Sequence, residues 1–280
     1  MKTVDIDACR RRLLKLVGEL WELFRVFGQA AYPESPAEAE ARLLADPEVP
    51  LTVASQTSLL FESINDHVVA ATRILAVPVQ PIAPFSLVRS ALEVSSICCW
   101  ILDPTLTGRE RMSRSLAFHQ TILRGQKTMI AGNPELDDGG LATRLAFVDD
   151  KEKRWGTQRT GMPRATDLVA AWFGKPAHYR LASAVVHGHP WAVAHVAFTR
   201  GTSEATSKGT VLLTPTLKPD LILYLLVLAL KAVVQPAWMR AIYFGYDRER
   251  LARTLETAYD DIQMVPSERF WRDGAQHQWA

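Results

Sequence analysis

The segment Tyr179-Arg180-Leu-Ala-Ser183-Ala-Val-Val-His187-Gly188 gathers a phenol, a guanidinium, a hydroxyl and an imidazole within ten residues. Tyr179, Ser183 and His187 recur every fourth residue, and Arg180 precedes His187 by seven. At about 3.6 residues per turn a helix carries all four on one stripe, opposite Leu181 and Val185. Such a set can hold a phosphate through Arg180 and move a proton through His187. The same residues also suit a satisfied polar network inside a bundle, and Gly188 after His187 is what a helix C-terminus favours in any case.

A second pair lies upstream. Arg89 and Glu93 are four residues apart in a stretch that is otherwise apolar on every face. Buried, they must pair or find partners, because breaking a buried ion pair costs roughly 3–5 kcal/mol. One reading sets them beside the Tyr179 stripe as ligand contacts or support. The other leaves Arg89 partly solvated at a helix start with Glu93 bonded to it. Residues 109–127 hold Arg109, Arg111, Arg114, His119, Arg124 and Lys127 against the single acid Glu110. They offer either an RNA-holding surface, with Arg154, Arg159 and Arg164 nearby in sequence, or an ordinary solvated face. His187-Gly-His189, with His195 further on, invites a metal, but metal-binding HxH pairs usually sit at a strand end, whereas here the first His ends a helix and Pro190 follows the second, and no metal or cofactor is expected. Walker, dinucleotide, GxSxG and HExxH signatures are absent.

The stripe resembles the Arg-x4-6-His motif of the HEPN superfamily, with six residues between Arg180 and His187. The Arg-x3-Glu of residues 89–93 and the Tyr-x3-Ser-x3-His-Gly of residues 179–188 look like those of uncharacterised bacterial helical proteins near that group. The resemblance implies a helical bundle that acts on or binds RNA in stress or defence. It implies a metal-independent endoribonuclease with Arg180 and His187 catalytic, Tyr179, Ser183, Arg89 and Glu93 supporting, and a site completed in a homodimer. The alternative is a non-enzymatic helical module that binds a protein partner or small ligand, its polar stripe structural.

Those residues need a scaffold, and hydrophobic periodicity supplies one that is mainly α. Residues 5–29 form an amphipathic helix with Leu13, Leu16, Val17, Leu20, Leu23 and Phe24 on one side. The Pro/Ala/Glu-rich stretch after it reads as a connection with a helical turn or two. A helix over 55–75 ends before Pro78, and the run VPVQPIAP cannot be helical throughout. Residues 85–103 are apolar nearly all round and belong at the centre of a bundle. Thr107 and Glu110 form a capping box that opens a helix over 107–131. Further helices are expected over 141–154, 167–173 and 177–187, with a polar, basic loop over 156–163. Residues 191–216 suggest a small β-hairpin, Ala194–Thr199 with Thr210–Thr214, joined by a Gly/Ser/Thr-rich connection. Asp220 is expected to cap a long apolar helix that Pro236 kinks or ends, and Asp247 to start a last one ending near 263. A tail with Phe270, Trp271 and Trp279 completes the chain. No linker divides it. One domain over 1–280 is predicted: an N-terminal helix (1–30), a core bundle (55–188), a hairpin insertion (191–216) and C-terminal helices (220–265).

Bulk composition narrows the function classes. The chain is 48% hydrophobic, enough for a core without staples, and its net charge of +2 gives no overall drive toward nucleic acid. Cys9, Cys98 and Cys99 form no disulfide framework or CxxC, which suits a reducing cytoplasm. The N-terminus carries charges where a signal peptide needs an apolar run. Lys231 interrupts the apolar stretch 221–234, which falls short of the roughly 20 residues a membrane span requires. A cytoplasmic protein without membrane contact is the expectation.

Overall fold

A computed structural model describes residues 5–27, 33–44, 48–76, 80–136, 139–155, 161–174, 176–200, 213–215 and 217–262. Its described part is mainly helical, with eleven α-helices. The first, α1 (Ile6–Phe27), buries Leu13, Leu16 and Leu20 completely, as the spacing of its apolar residues predicts. Asp5 caps it, accepting from the Ala8 N–H at 2.9 Å. The Pro/Ala/Glu-rich connection is a nine-residue helix, α2 (Pro36–Leu44). Its start obeys capping rules: Ser35 Oγ accepts from the Glu38 N–H at 3.3 Å, and Pro36 occupies the first turn, where its missing N–H costs nothing. Helix α3 (Glu48–Ile74) begins seven residues before the expected Ser55, with Pro50 tolerated in its first turn for the same reason.

Helix α4 (Ala83–Leu102) is the centre of the molecule. It packs against α3, against the long α10 (Pro219–Phe244), and against α7 (Ala165–Phe173) and α8 (Pro176–Val186). Its residues Val88, Ala91, Cys98, Cys99 and Ile101 are wholly buried. Helix α5 (Gly108–Gly132) opens on the capping box in full. Glu110 accepts from the Thr107 N–H at 2.9 Å and the Thr107 hydroxyl accepts from the Glu110 N–H. It packs on α6 (Leu141–Trp155). The apolar core draws residues from α1 at Cys9 through to Ala258 in the last helix, α11 (Arg248–Ile262). Asp247 caps α11 by accepting from the Arg250 N–H at 2.9 Å.

Three expectations need correction. Pro236 does not end α10, which continues for eight residues beyond it. Pro236 is itself buried, and packing of α10 against α1, α2, α3, α4 and α11 outweighs the one hydrogen bond that its ring removes. Asp220 lies in the first turn of α10 rather than at its cap; Lys218 is the cap residue and Pro219 the first helical one. The hairpin over 191–216 is not supported. Pro190–Ala197 is a helix, α9, because a proline at its first position and an alanine-rich run favour that form. Beyond α9 the extended structure among the described residues is a three-residue antiparallel contact, Phe198–Arg200 against Leu213–Pro215. The Gly/Ser/Thr-rich connection, Arg159 with residues 156–160 of its loop, the first three residues of VPVQPIAP and the tail with Phe270, Trp271 and Trp279 lie outside the described residues.

Helices α4 and α10 are also long and apolar enough to cross a bilayer, and α10 exceeds the length inferred from the 221–234 stretch alone. Within this fold 61% and 72% of their most apolar windows are buried against other helices. Arg240 shows how completely α10 is enclosed. Its guanidinium donates to Thr57 Oγ1 at 2.8 Å and Ser58 Oγ at 3.2 Å on α3, and lies 5.4 Å from the ring centres of Phe24 and Phe244.

Candidate functional site

Helix α8 lies against α4, and this contact joins the two polar groups singled out in the sequence. Arg89 and Glu93, one turn apart on α4, form an ion pair with Nη2 and Oε1 2.8 Å apart. The Tyr179 hydroxyl reaches both. It donates to the same Glu93 carboxylate oxygen and accepts from Arg89 Nη2 at 3.4 Å, with the guanidinium carbon 5.5 Å from the ring centre. Tyr179 is buried, while the Arg89 and Glu93 side chains stay about a quarter exposed. Burial and the neighbouring Glu93 carboxylate raise the Tyr179 phenol above its ordinary range, so it stays a donor. Net stabilisation by a half-solvated pair of this kind is under about 1 kcal/mol. Its value lies in fixing the position of α8.

The remainder of the stripe turns away from this tie. On a helical wheel Ser183 lies roughly 40° from Tyr179, His187 roughly 80° and Arg180 roughly 100°. Burial follows that order: Tyr179 is buried, Ser183 half-buried, and His187 and Arg180 exposed. Neither the Arg180 guanidinium nor the His187 imidazole has a hydrogen bond or ion pair with another described residue. His187 is held by its backbone instead. Its N–H bonds to the Ser183 carbonyl at 3.0 Å, and Gly188, at φ 67°, turns the chain so that the Gly188 and His189 N–H groups bond back to Val185 and Ala184. This is a Schellman closure with His187 as the C-cap. The His187 and His189 rings stand 6.4 Å apart, and exposed Trp191 comes next on α9. The side chain of His195 lies outside the described part.

The basic run on α5 does not form one surface. Arg111 is buried, Arg109 donates to the Trp155 carbonyl, and Arg114 to the Trp100 carbonyl at 2.8 Å and to Asp103 at 3.3 Å. His119 packs near Phe147, and burial lowers its proton affinity. Arg124 and Lys127 are exposed.

A polar cluster unread in the sequence lies deeper. Arg111 Nε donates to Glu40 Oε1 at 2.9 Å, Tyr243 donates to Glu40 Oε2 at 2.8 Å, and Arg111 Nη1 reaches the carbonyls of Ile101 and Asp103 at 3.0 Å. The Arg111 guanidinium also lies 4.6 Å from the Tyr243 ring centre. All three side chains are sealed, which suits a fastening of α2, α5 and α10 rather than chemistry on a ligand. Glu40 lies 71 residues from Arg111 and 203 from Tyr243, so no local pattern announces the contact.

No family model, curated protein or solved structure matches this chain.

Proposed function

We propose that this protein is a HEPN-like, metal-independent endoribonuclease that works in the cytoplasm as a homodimer, with Arg180 and His187 acting on the scissile phosphate. The observation that carries the reading is the division of the stripe. Tyr179, Arg89 and Glu93 bond to one another, while Arg180 and His187 are exposed on one side of α8 and make no hydrogen bond or ion pair through their side chains with another described residue. In this scheme the imidazole removes the ribose 2′-OH proton or protonates the leaving 5′ oxygen, and the guanidinium stabilises charge on the phosphorus oxygens. The products are a 2′,3′-cyclic phosphate and a 5′-hydroxyl.

Helix geometry favours the dimer. Seven residues separate the two groups by about 10 Å along the axis, and side chains lean toward the N-terminus, so one chain's pair converges poorly on a single phosphate. Two antiparallel α8 helices set Arg180 of each chain opposite the partner's His187. In this scheme Ser183, which is half-buried, contacts the ribose or the phosphate.

A second reading is favoured by the tie itself. If Tyr179, Glu93 and Arg89 serve to lock α8 onto α4, the helix is a fixed strut and the chain a non-enzymatic module that binds a protein partner or small ligand. The two readings separate in one assay. Structured and single-stranded RNA are incubated with the full chain, with and without chelator. Cleavage that survives chelation, leaves cyclic phosphate ends and falls at least about 100-fold in His187→Ala and Arg180→Ala supports the nuclease. Intact RNA with the wild-type protein, folded by circular dichroism, leaves the binding module.

A further inference from the structure

Helix α8 passes the chain to α9 through consecutive exposed residues, His187-Gly188-His189-Pro190-Trp191. This corner is rigid. The Schellman closure at Gly188 fixes its first half, and the N–H groups of Ala192 and Val193 both bond to the His189 carbonyl at 3.0 Å to fix the second. Pro190 holds its own φ, and buried Ala192 and Val196 anchor α9 in the core. Trp191 is thereby held 62% exposed on a fixed backbone, the one exposed large apolar side chain among the described residues of α8 and α9. A single exposed apolar residue needs no explanation by itself. Its surroundings supply one.

No Asp or Glu occurs from Leu168 to Ser203, while the same stretch holds Lys175, Arg180, Arg200 and four of the chain's seven histidines. Arg180, His187 and His189 are exposed, and the two imidazole rings lie 6.4 Å apart. The acid that α4 brings to α8, Glu93, is paired with Arg89 at 2.8 Å. An acid-free, cationic surface beside a flat, exposed indole is complementary to a strand that offers a phosphate and a base at every step. Bases inside a duplex present no face to an indole, whereas an unpaired base does. A lipid surface is the poorer fit, since interfacial helices insert a row of apolar side chains and Trp191 has polar neighbours.

We infer that Trp191 is the stacking platform for an unpaired nucleobase next to the phosphate held at Arg180 and His187, and that single-stranded RNA is the substrate class of the site. The inference rests on the ribonuclease reading of α8 and adds the conformation of the strand. The indole covers one face of the base, and the His189 imidazole bonds to the base edge or the adjoining phosphate. Stacking accepts every base, so the site selects unpaired structure rather than sequence.

The test measures binding of a short 2′-O-methyl oligoribonucleotide to the full chain by fluorescence anisotropy. The methyl group removes the attacking hydroxyl, so the strand is bound but not cut, and binding is scored apart from cleavage. Three competitors are compared: the same strand as a blunt duplex, inorganic polyphosphate (a polyanion without bases) and phosphatidylglycerol vesicles. The single strand should bind best. Trp191→Ala should weaken it at least about fivefold and Trp191→Phe less, with duplex and polyphosphate binding changed by under about twofold. Arg180→Ala should weaken all three polyanions alike. Unchanged single-strand affinity in Trp191→Ala, an equal loss for polyphosphate, tighter binding of the duplex, or Trp191-dependent binding to vesicles alone each overturns the inference. Trp191-dependent single-strand binding without any cleavage of unmodified RNA removes the nuclease and keeps the platform. Cleavage indifferent both to base pairing and to Trp191→Ala removes the platform and keeps the nuclease.

Discussion

The molecule builds the same three side chains, Glu, Arg and Tyr, into two clusters that differ mainly in burial. In both, the guanidinium pairs with the carboxylate and lies near the tyrosine ring, and the phenol donates to the same acid. Glu40–Arg111–Tyr243 is sealed, and backbone carbonyls take up Arg111 donors that the carboxylate leaves over. Glu93–Arg89–Tyr179 keeps two of its three members partly solvated, and buried Arg89 Nε has no hydrogen-bond partner among the described residues. Identical chemistry thus gives a sealed fastening where water is excluded and a partly solvated one where it is not. Solvent-reachable polar groups therefore lie beside the open cluster, where Arg180 and His187 on α8 are exposed, and not at the closed one.

The two clusters part most visibly at the arginines. Arg111→Ala leaves the buried Glu40 without its counter-charge, and Glu40 Oε1 and two carbonyls without the Arg111 donors, and it should cost about 3–5 kcal/mol. Arg89→Ala removes one half of a solvated pair and should cost under about 1 kcal/mol. Urea unfolding followed by circular dichroism measures both. Equal losses in the two variants would mean that burial does not distinguish the clusters.

A smaller effect probes how tightly the sealed cluster is packed. Gly108 opens α5 directly over Glu40, and a Cβ there would meet Glu40 Cγ at 2.8 Å. Glu40 cannot swing aside without giving up Arg111 or Tyr243. Gly108→Ala should therefore destabilise by about 1–3 kcal/mol, despite the better helix propensity of alanine. A neutral or stabilising result in the same unfolding assay would show that Glu40 has room to move.

How much of this is legible in the sequence depends on the range of the interaction. The capping box at Thr107 and Glu110, the Gly188 stop and the all-round apolarity of residues 85–103 are local signals, and each has its counterpart in the structure. The Tyr179 stripe and the Arg89–Glu93 spacing are readable as patterns. That α8 faces α4 is not, because choice of helix partner is tertiary. Glu40 is invisible for the same reason, although Ser35, Pro36 and Glu38 do announce the short helix that carries it. The hairpin reading fails where an apolar alternation after Trp191 proves weaker than Pro190 and its alanines.

The smallest difference concerns the phenols. In Tyr243→Phe the Glu40 oxygen loses its donor in a dry site, a loss of about 1–3 kcal/mol; in Tyr179→Phe water can replace the hydroxyl beside Glu93, a loss of about 0.5–1.5 kcal/mol. Their pH dependence sharpens the point. Burial, first, and the neighbouring carboxylate raise both phenols in the folded protein, Tyr243 well above its usual value and Tyr179 less. A folded state that holds its proton more tightly than the unfolded chain keeps this stability below the ordinary tyrosine value of 10.0 and loses it as pH climbs past that value. Stability measured from pH 8 to 11 should therefore fall at the alkaline end, and Tyr243→Phe should flatten that fall more than Tyr179→Phe. The opposite order would place the greater burden of desolvation on the cluster at α8 and remove the reason for calling it the open one.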